Sequence, residues 1–309
     1  MIETIFAALM LLTFGGAGWI RYVGQKDKLH RYYTSTCQAP KIQPKEIVID
    51  GREFMLYKTD LNRILLKRFR YYATLEKSLQ LLFLKRLQLF MRRKIFIIKD
   101  DEAVKEMPVL VSAAAVALTF GLKDFRLQFY RYIRIYPEEY IAEDSVRVLA
   151  GNVQQNVITI AWNHLIKGYN DFTDGVNVGL HEMSHALYVQ KIIVEKGYAN
   201  AFLKNYNYLV CECKEAYDLE LENAKNLYSD YATKDLQEFW AESVELFFEK
   251  PSELKAHYPD LYEALKILLN QNPINKINPI LKNHLPLDKK LGKIITALRR
   301  RRAGNNQLQ

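Results

Sequence analysis

His181, Glu182 and His185 stand in the order His-Glu-x-x-His, with Met183 and Ser184 between them. On a helix, residues four apart lie one turn apart, so both imidazoles can reach a single cation from one face. That pair is the protein half of a common zinc site, and the glutamate between them falls beside the open coordination position. The chemistry would be hydrolysis: water ionised beside Zn²⁺, with Glu182 as general base. A five-residue pattern arises by chance on the order of once in a hundred chains with this histidine content, and it would then mark a helix with two incidental histidines. Leu180, Met183 and Leu187 supply an apolar side for burial, which leaves the histidines on an adjoining face toward a cleft.

A catalytic zinc needs a third protein ligand and a fourth position open to water or substrate. No further histidine follows at close spacing, so the third ligand is expected to be a carboxylate on a second helix. Leu236 to Phe248 offers Glu238, Glu242 and Glu245, which share one helical face. Such a row is ordinarily a solvated stripe. Here Phe239, Trp240, Phe247 and Phe248 flank it, and acids on a heavily buried helix want a cation.

Several elements must position these groups. From about Leu61 to Phe96 there is neither proline nor glycine, and apolar residues recur at helical spacing with Lys and Arg on the remaining faces. Ala113 to Leu122 reads as a short buried helix. Phe125 to Tyr136 and Val157 to Trp162 read as strands. A helix from about Val176 to Glu195 carries the metal motif, with Asp174 or Thr173 able to cap it. Further helices are expected over Asp235 to Phe248 and Glu253 to Leu269. The fold class is therefore α+β, a mostly helical domain with a small sheet.

The chain has 309 residues, with 49% hydrophobic and 26% charged, which is globular composition. A formal charge of +9 favours anionic partners. No nucleic-acid module accompanies that charge, so it is read as solubility plus attraction to anionic lipid. Cys37, Cys211 and Cys213 are odd in number and form no disulfide framework, which suits a reducing compartment. Thr4 to Ile20 is free of charge, at the short end of what spans a bilayer, and Trp19, Arg21, Tyr22, Lys26 and Lys28 lie where interfacial aromatic and cytoplasmic basic residues belong. The expected organisation is a membrane anchor over 1–24, a linker over 25–50, a metallopeptidase domain over 51–272 and a basic tail over 273–309. The expected location is the inner membrane, single-pass, with the domain facing the cytoplasm.

The segments VSAAAVALTFGL, YIRIYPEEY, VITIAW, DGVNVGLHEMSHAL and YATKDLQEFWAESVELFFEKP resemble the family of Mlc titration factor A. Its members are zinc-dependent peptidases whose metal site is similar to that of anthrax lethal factor. The resemblance runs from about Leu61 to Pro251, and DGVNVGLHEMSHAL and YATKDLQEFW are its specific parts. It implies a zincin-like, gluzincin-type site with Glu238 as third ligand. It implies Tyr231, seven residues earlier, as a hydrogen-bond donor to the oxyanion, and VITIAW as the edge strand on which an extended peptide pairs. Two departures stand out: the N-terminal apolar segment, which the soluble members lack, and Tyr188, where the family commonly has Asp. The partner is expected to be a peptide or protein substrate. The family's namesake is named for capturing a transcriptional repressor, which makes a membrane-tethered protein sequestering a cytoplasmic regulator the alternative.

Overall fold

The computed structural model describes residues 41, 46–51, 57–100, 104–141, 147–195, 201–222 and 227–281. The segment read as an anchor and most of the linker and basic tail lie outside them. Among the described residues, no helix is long and apolar enough to cross a membrane.

The domain is a mostly helical α+β fold around a small mixed sheet. Five strands lie in the order β1-β2-β3-β7-β6: β1 (Ile47–Asp50), β2 (Ile95–Ile98), β3 (Tyr132–Tyr136), β7 (Val157–Ala161) and β6 (Gly151–Gln154). β2, β3 and β7 run parallel, with Ile133 opposite Ile158 and Ile135 opposite Ile160, while β1 and β6 close the two edges antiparallel. A separate short hairpin pairs β4 (Tyr140–Ile141) with β5 (Val148–Leu149). β1 occupies the last four residues of the segment read as a linker.

The position of β7 corrects the sequence reading of VITIAW as an edge strand. All five residues of β7 are buried and it has a neighbour on each side. A continuous apolar run without alternation is what an interior strand requires, since both of its faces are covered. The outermost strand on this side, among the described residues, is β6, sequence GNVQ, whose residues are half-buried. A two-residue turn at Gln155 and Asn156, with Gln155 in the left-handed region at φ 51°, joins it to β7.

The run read as continuously helical from Leu61 to Phe96 is three helices and a strand: α1 (Lys58–Arg68), α2 (Arg70–Thr74), α3 (Lys77–Met91) and then β2. Phe69 and Leu75 take extended conformations between them and turn their side chains into the core. Gln80 donates to the Tyr72 carbonyl at 3.2 Å, which satisfies an acceptor that the short helix cannot. β2 leads through α4 (Glu106–Leu118) back to β3. Every α4 residue from Met107 to Leu118 is buried, so this helix is apolar all round and forms the centre of the core. The strand expected from Phe125 begins only at Tyr132. Before it, Leu127 sits at φ 45° and the buried Lys94 ammonium donates to the Leu127 carbonyl at 2.7 Å and to that of Tyr130, which pins an irregular loop.

Four further helices complete the domain beyond α5 (Trp162–Asn170) and α6 (Val178–Tyr188): α7 (Ala201–Leu221), α8 (Leu236–Glu249), α9 (Pro251–His257) and α10 (Pro259–Leu269). α6 passes into a π-helical stretch, Val189–Val194, where Gln190 accepts from the Phe129 amide at 2.7 Å. The expected helix from Glu253 to Leu269 breaks at Pro259, because the residue before a proline is pushed out of the helical region and Tyr258 lies at φ −132°, ψ 72°. α6 packs on α4, α8, β6 and β7, which places its half-buried histidine stripe beside the outer strand β6.

Candidate metal centre

α6 begins at Val178, two residues later than its sequence pattern suggests, and its cap is Asn177. The Asn177 side-chain oxygen accepts from the Leu180 amide at 3.0 Å. Asp174, an expected cap, instead accepts from the Val176 amide at 2.9 Å and shapes the preceding turn. Gly175 in that turn holds φ 78°, a conformation that only glycine adopts without strain. Leu180, Met183 and Leu187 are buried, as the amphipathic reading required, and His181 and His185 emerge together on the adjoining side.

α8 supplies the acids, and its cap sets their height. Asp235 accepts from the amides of Gln237 and Glu238 at 2.8 and 3.0 Å, which fixes the first turn on which Glu238 sits. The Trp240 indole donates to the Ser184 carbonyl at 3.2 Å, and the Ser184 hydroxyl donates to the His181 carbonyl at 2.6 Å, so α8 is tied to α6 across the motif. Glu238 Oε2 then lies 3.1 Å from His181 Nε2 and 3.5 Å from His185 Nε2, and the two imidazole nitrogens are 3.2 Å apart. Three donors around a tetrahedral cation at 2.0–2.1 Å would be separated by about 3.3–3.4 Å. The observed triangle fits a zinc-sized ion.

The electrostatics agree with that fit. The two imidazoles hold the Glu238 carboxyl far below the ordinary carboxylate range, against the opposing effect of burial. Burial alone would depress His181, but Glu238 and Glu245 outweigh it and raise its pKa well above the usual value. Two acceptor nitrogens and a carboxylate converging in a half-buried cleft call for positive charge, from protons or from a metal.

Of the three acids on the α8 face, only Glu238 joins the triangle. Glu242 accepts from the Ser229 amide at 3.1 Å and from its hydroxyl, and the Ser229 hydroxyl oxygen in turn accepts from the Tyr231 amide at 3.1 Å. Glu242 therefore anchors the loop that carries Tyr231. Glu245 is buried, accepts from the Asn177 amide at 2.9 Å, and places its other oxygen 3.5 Å from His181 Nδ1. It holds the Nδ1 side of that imidazole, opposite the cation site, the part often played by a carboxylate behind a metal-bound histidine. Tyr188, the departure from the family pattern, lines the same cleft and is not needed for that role.

Glu182 lies under the edge of the sheet. A Cβ at position 151 would fall 2.5 Å from Glu182 Cγ and Oε1, so a larger residue there would push this carboxylate aside. Burial raises the Glu182 pKa, and the two histidines pull it back down. A carboxyl raised in this way is a better proton acceptor near neutral pH than an ordinary one. Tyr231 is 50% exposed on the same cleft, with the Lys234 ammonium over its ring at 4.5 Å. Burial, Glu238 and Glu182 raise its pKa, so the phenol keeps its proton and can donate. The cleft has a volume of about 220 Å³ and is bounded by Leu149, Gly151, Asn152 and Val153 on one side and by the histidines, Glu182, Tyr188, Tyr231 and Glu238 on the other.

Sequence reasoning missed Asn177, Gly151 and Asp235 as members of this arrangement. Asp235 carried a visible signal, an acidic residue three before Glu238 at a helix start. Gly151 and Asn177 carried none, since their roles depend on the approach of β6 and α8.

A helix bearing two histidines and a glutamate, a carboxylate brought in from a second helix, and a sheet edge alongside define a metallopeptidase-type site. The glucose-regulated metallopeptidase M90 family matches residues 53–268, and the chain belongs to that family. It is also 25% identical over 240 residues to an uncharacterised protein of the cyanobacterium Synechocystis, covering 71% of this chain and 87% of that protein.

Proposed function

We propose that this chain hydrolyses peptide bonds with zinc as its metal. The convergence of His181 Nε2, His185 Nε2 and Glu238 Oε2 at 3.1–3.5 Å, directly beside the buried Glu182, carries that reading. Held by His181, His185 and Glu238, zinc would supply Lewis acidity toward the scissile carbonyl and would lower the pKa of a water toward neutrality. Glu182 takes the proton from the attacking water and returns it to the leaving amine. Tyr231 donates to the oxyanion of the tetrahedral intermediate, while Glu245 keeps His181 in its productive orientation.

The substrate would enter as an extended strand alongside β6, the last strand in the sheet order, which borders the cleft through Gly151, Asn152 and Val153. Pairing of this kind reads backbone rather than side chains, so a range of sequences would bind. Tethering through the N-terminal apolar segment, with the domain on the cytoplasmic side, is part of the same proposal.

The test is Glu182→Gln in zinc-loaded full-length protein. Metal stoichiometry should stay at one per chain while hydrolysis of a cleavable peptide falls by about 10²–10⁴. Intact hydrolysis in that variant would sink the mechanism, and wild-type protein purified without stoichiometric zinc would remove the metal assignment.

A further inference from the structure

We propose that the outer face of α3 rests on an anionic lipid bilayer. α3 contains no Asp or Glu. Its solvent side gathers Lys77, Leu81, Lys85, Leu89 and Arg92 into one arc of about 120° at 100° per residue. Leu81 is 54% and Leu89 38% exposed, two turns apart with Lys85 between them. The opposite side of the helix buries Phe83, Leu84, Leu87, Phe90 and Met91, so the leucines are surplus to the core. Among the described residues, no carboxylate pairs with Lys85, Arg92 or the adjoining Arg93.

The charge selects the class of partner. An acid-free basic arc matches an anionic surface, and apolar side chains set among the charges match the boundary between headgroups and acyl chains. A nucleic acid would use the basic residues and leave the two leucines unexplained. β1 runs antiparallel to β2, with Ile47 opposite Ile98 and Glu46 2.8 Å from Lys99, so the chain enters the sheet at the far end of β2. It passes back beside Lys94, where the Gly51 amide donates to the Lys94 carbonyl at 2.9 Å next to the C-terminal end of α3. β6, which borders the cleft, lies three strands from β2, the strand that follows α3. This inference is independent of the catalytic reading.

The experiment places one tryptophan at a time in full-length protein, Leu81→Trp, Leu89→Trp and, as a control on a different helix, the exposed Leu221→Trp. Each is mixed with phosphatidylcholine vesicles containing brominated phosphatidylglycerol, and the emission contributed by the added indole is read. Quenching at positions 81 and 89 but not at 221 is expected. It should vanish on adding Lys85→Glu and Arg92→Glu, and raised salt should weaken it. Vesicle affinity should fall about fivefold for each charge removed. Lack of quenching at both leucine positions would overturn the proposal, whatever the N-terminal segment does. So would an indole response to single-stranded DNA with none to the brominated lipid. A circular dichroism spectrum equal to wild type establishes that each variant is folded.

Discussion

Glu245 reaches His181 from behind, its carboxylate oxygen 3.5 Å from Nδ1, while the opposite ring nitrogen faces Glu238 and His185. The second oxygen of Glu245 is held by the Asn177 amide at the start of the same helix. One side chain thus bears on both the register of α6 against α8 and the tautomer of a histidine of the candidate metal centre. Glu245→Gln keeps the shape and an acceptor but removes the charge. Zinc affinity is expected to fall about 10–100-fold, with a smaller change in thermal stability. Competition with a chromophoric chelator measures it, and an unchanged affinity would show that Glu245 serves the helix packing alone.

Gly151 makes a different kind of prediction, because its role is to be absent. A methyl group at position 151 would sit 2.5 Å from the Glu182 carboxyl, and the carboxylate or the strand must move. Gly151→Ala should destabilise the fold by about 1–3 kcal/mol. It should also lower kcat by about 10²-fold through displacement of the base. Zinc content should be unaffected, since no metal-binding atom is touched. Loss of zinc in this variant would mean that β6 shapes the metal site itself.

The three acids on α8 separate by experiment. Glu238→Ala is expected to lose zinc. Glu242→Ala should keep it and lower kcat about tenfold by loosening the Ser229 loop, less than the 10²–10³-fold expected for Tyr231→Phe. Elemental analysis with single-turnover kinetics distinguishes the two. Equal zinc loss in the Glu238 and Glu242 variants would contradict the division of roles seen here.

The histidine pair and its helix were legible because both follow from spacing along one helix. Spacing alone left the choice among Glu238, Glu242 and Glu245 open, and only the family resemblance pointed to Glu238, since all three share a face and differ in what the neighbouring chain offers: two imidazoles, the Ser229 loop and the Asn177 amide. Position along α8, set by the Asp235 cap, decides which meets which. The edge strand was misplaced for a related reason. VITIAW is the stronger strand signal because it is interior, and the weak signal of GNVQ is what an exposed edge looks like. The breaks after Arg68 and Thr74 escaped because no proline or glycine marks them; the core claims Phe69 and Leu75 instead.

Glu249 gives a prediction on pH. Its carboxyl accepts from the Asn177 side-chain amide at 2.9 Å, and burial, aided by Glu245 and Asp174, pushes its pKa up from 4.5 to about 8. The folded state therefore binds this proton more tightly than the unfolded chain does. Stability from this group is complete below about pH 4.5, where both states are protonated, and is lost as pH rises toward 8. Glu249→Gln keeps a carbonyl acceptor for Asn177 and never ionises. The variant should match wild type at the acid end and exceed it by on the order of 3 kcal/mol above pH 8. Urea unfolding of zinc-saturated protein at a series of pH values gives the difference curve, in which groups common to both proteins cancel. Parallel curves across that range would mean that the Glu249 carboxyl is ionised in the fold and that its contact with Asn177 is a charged one.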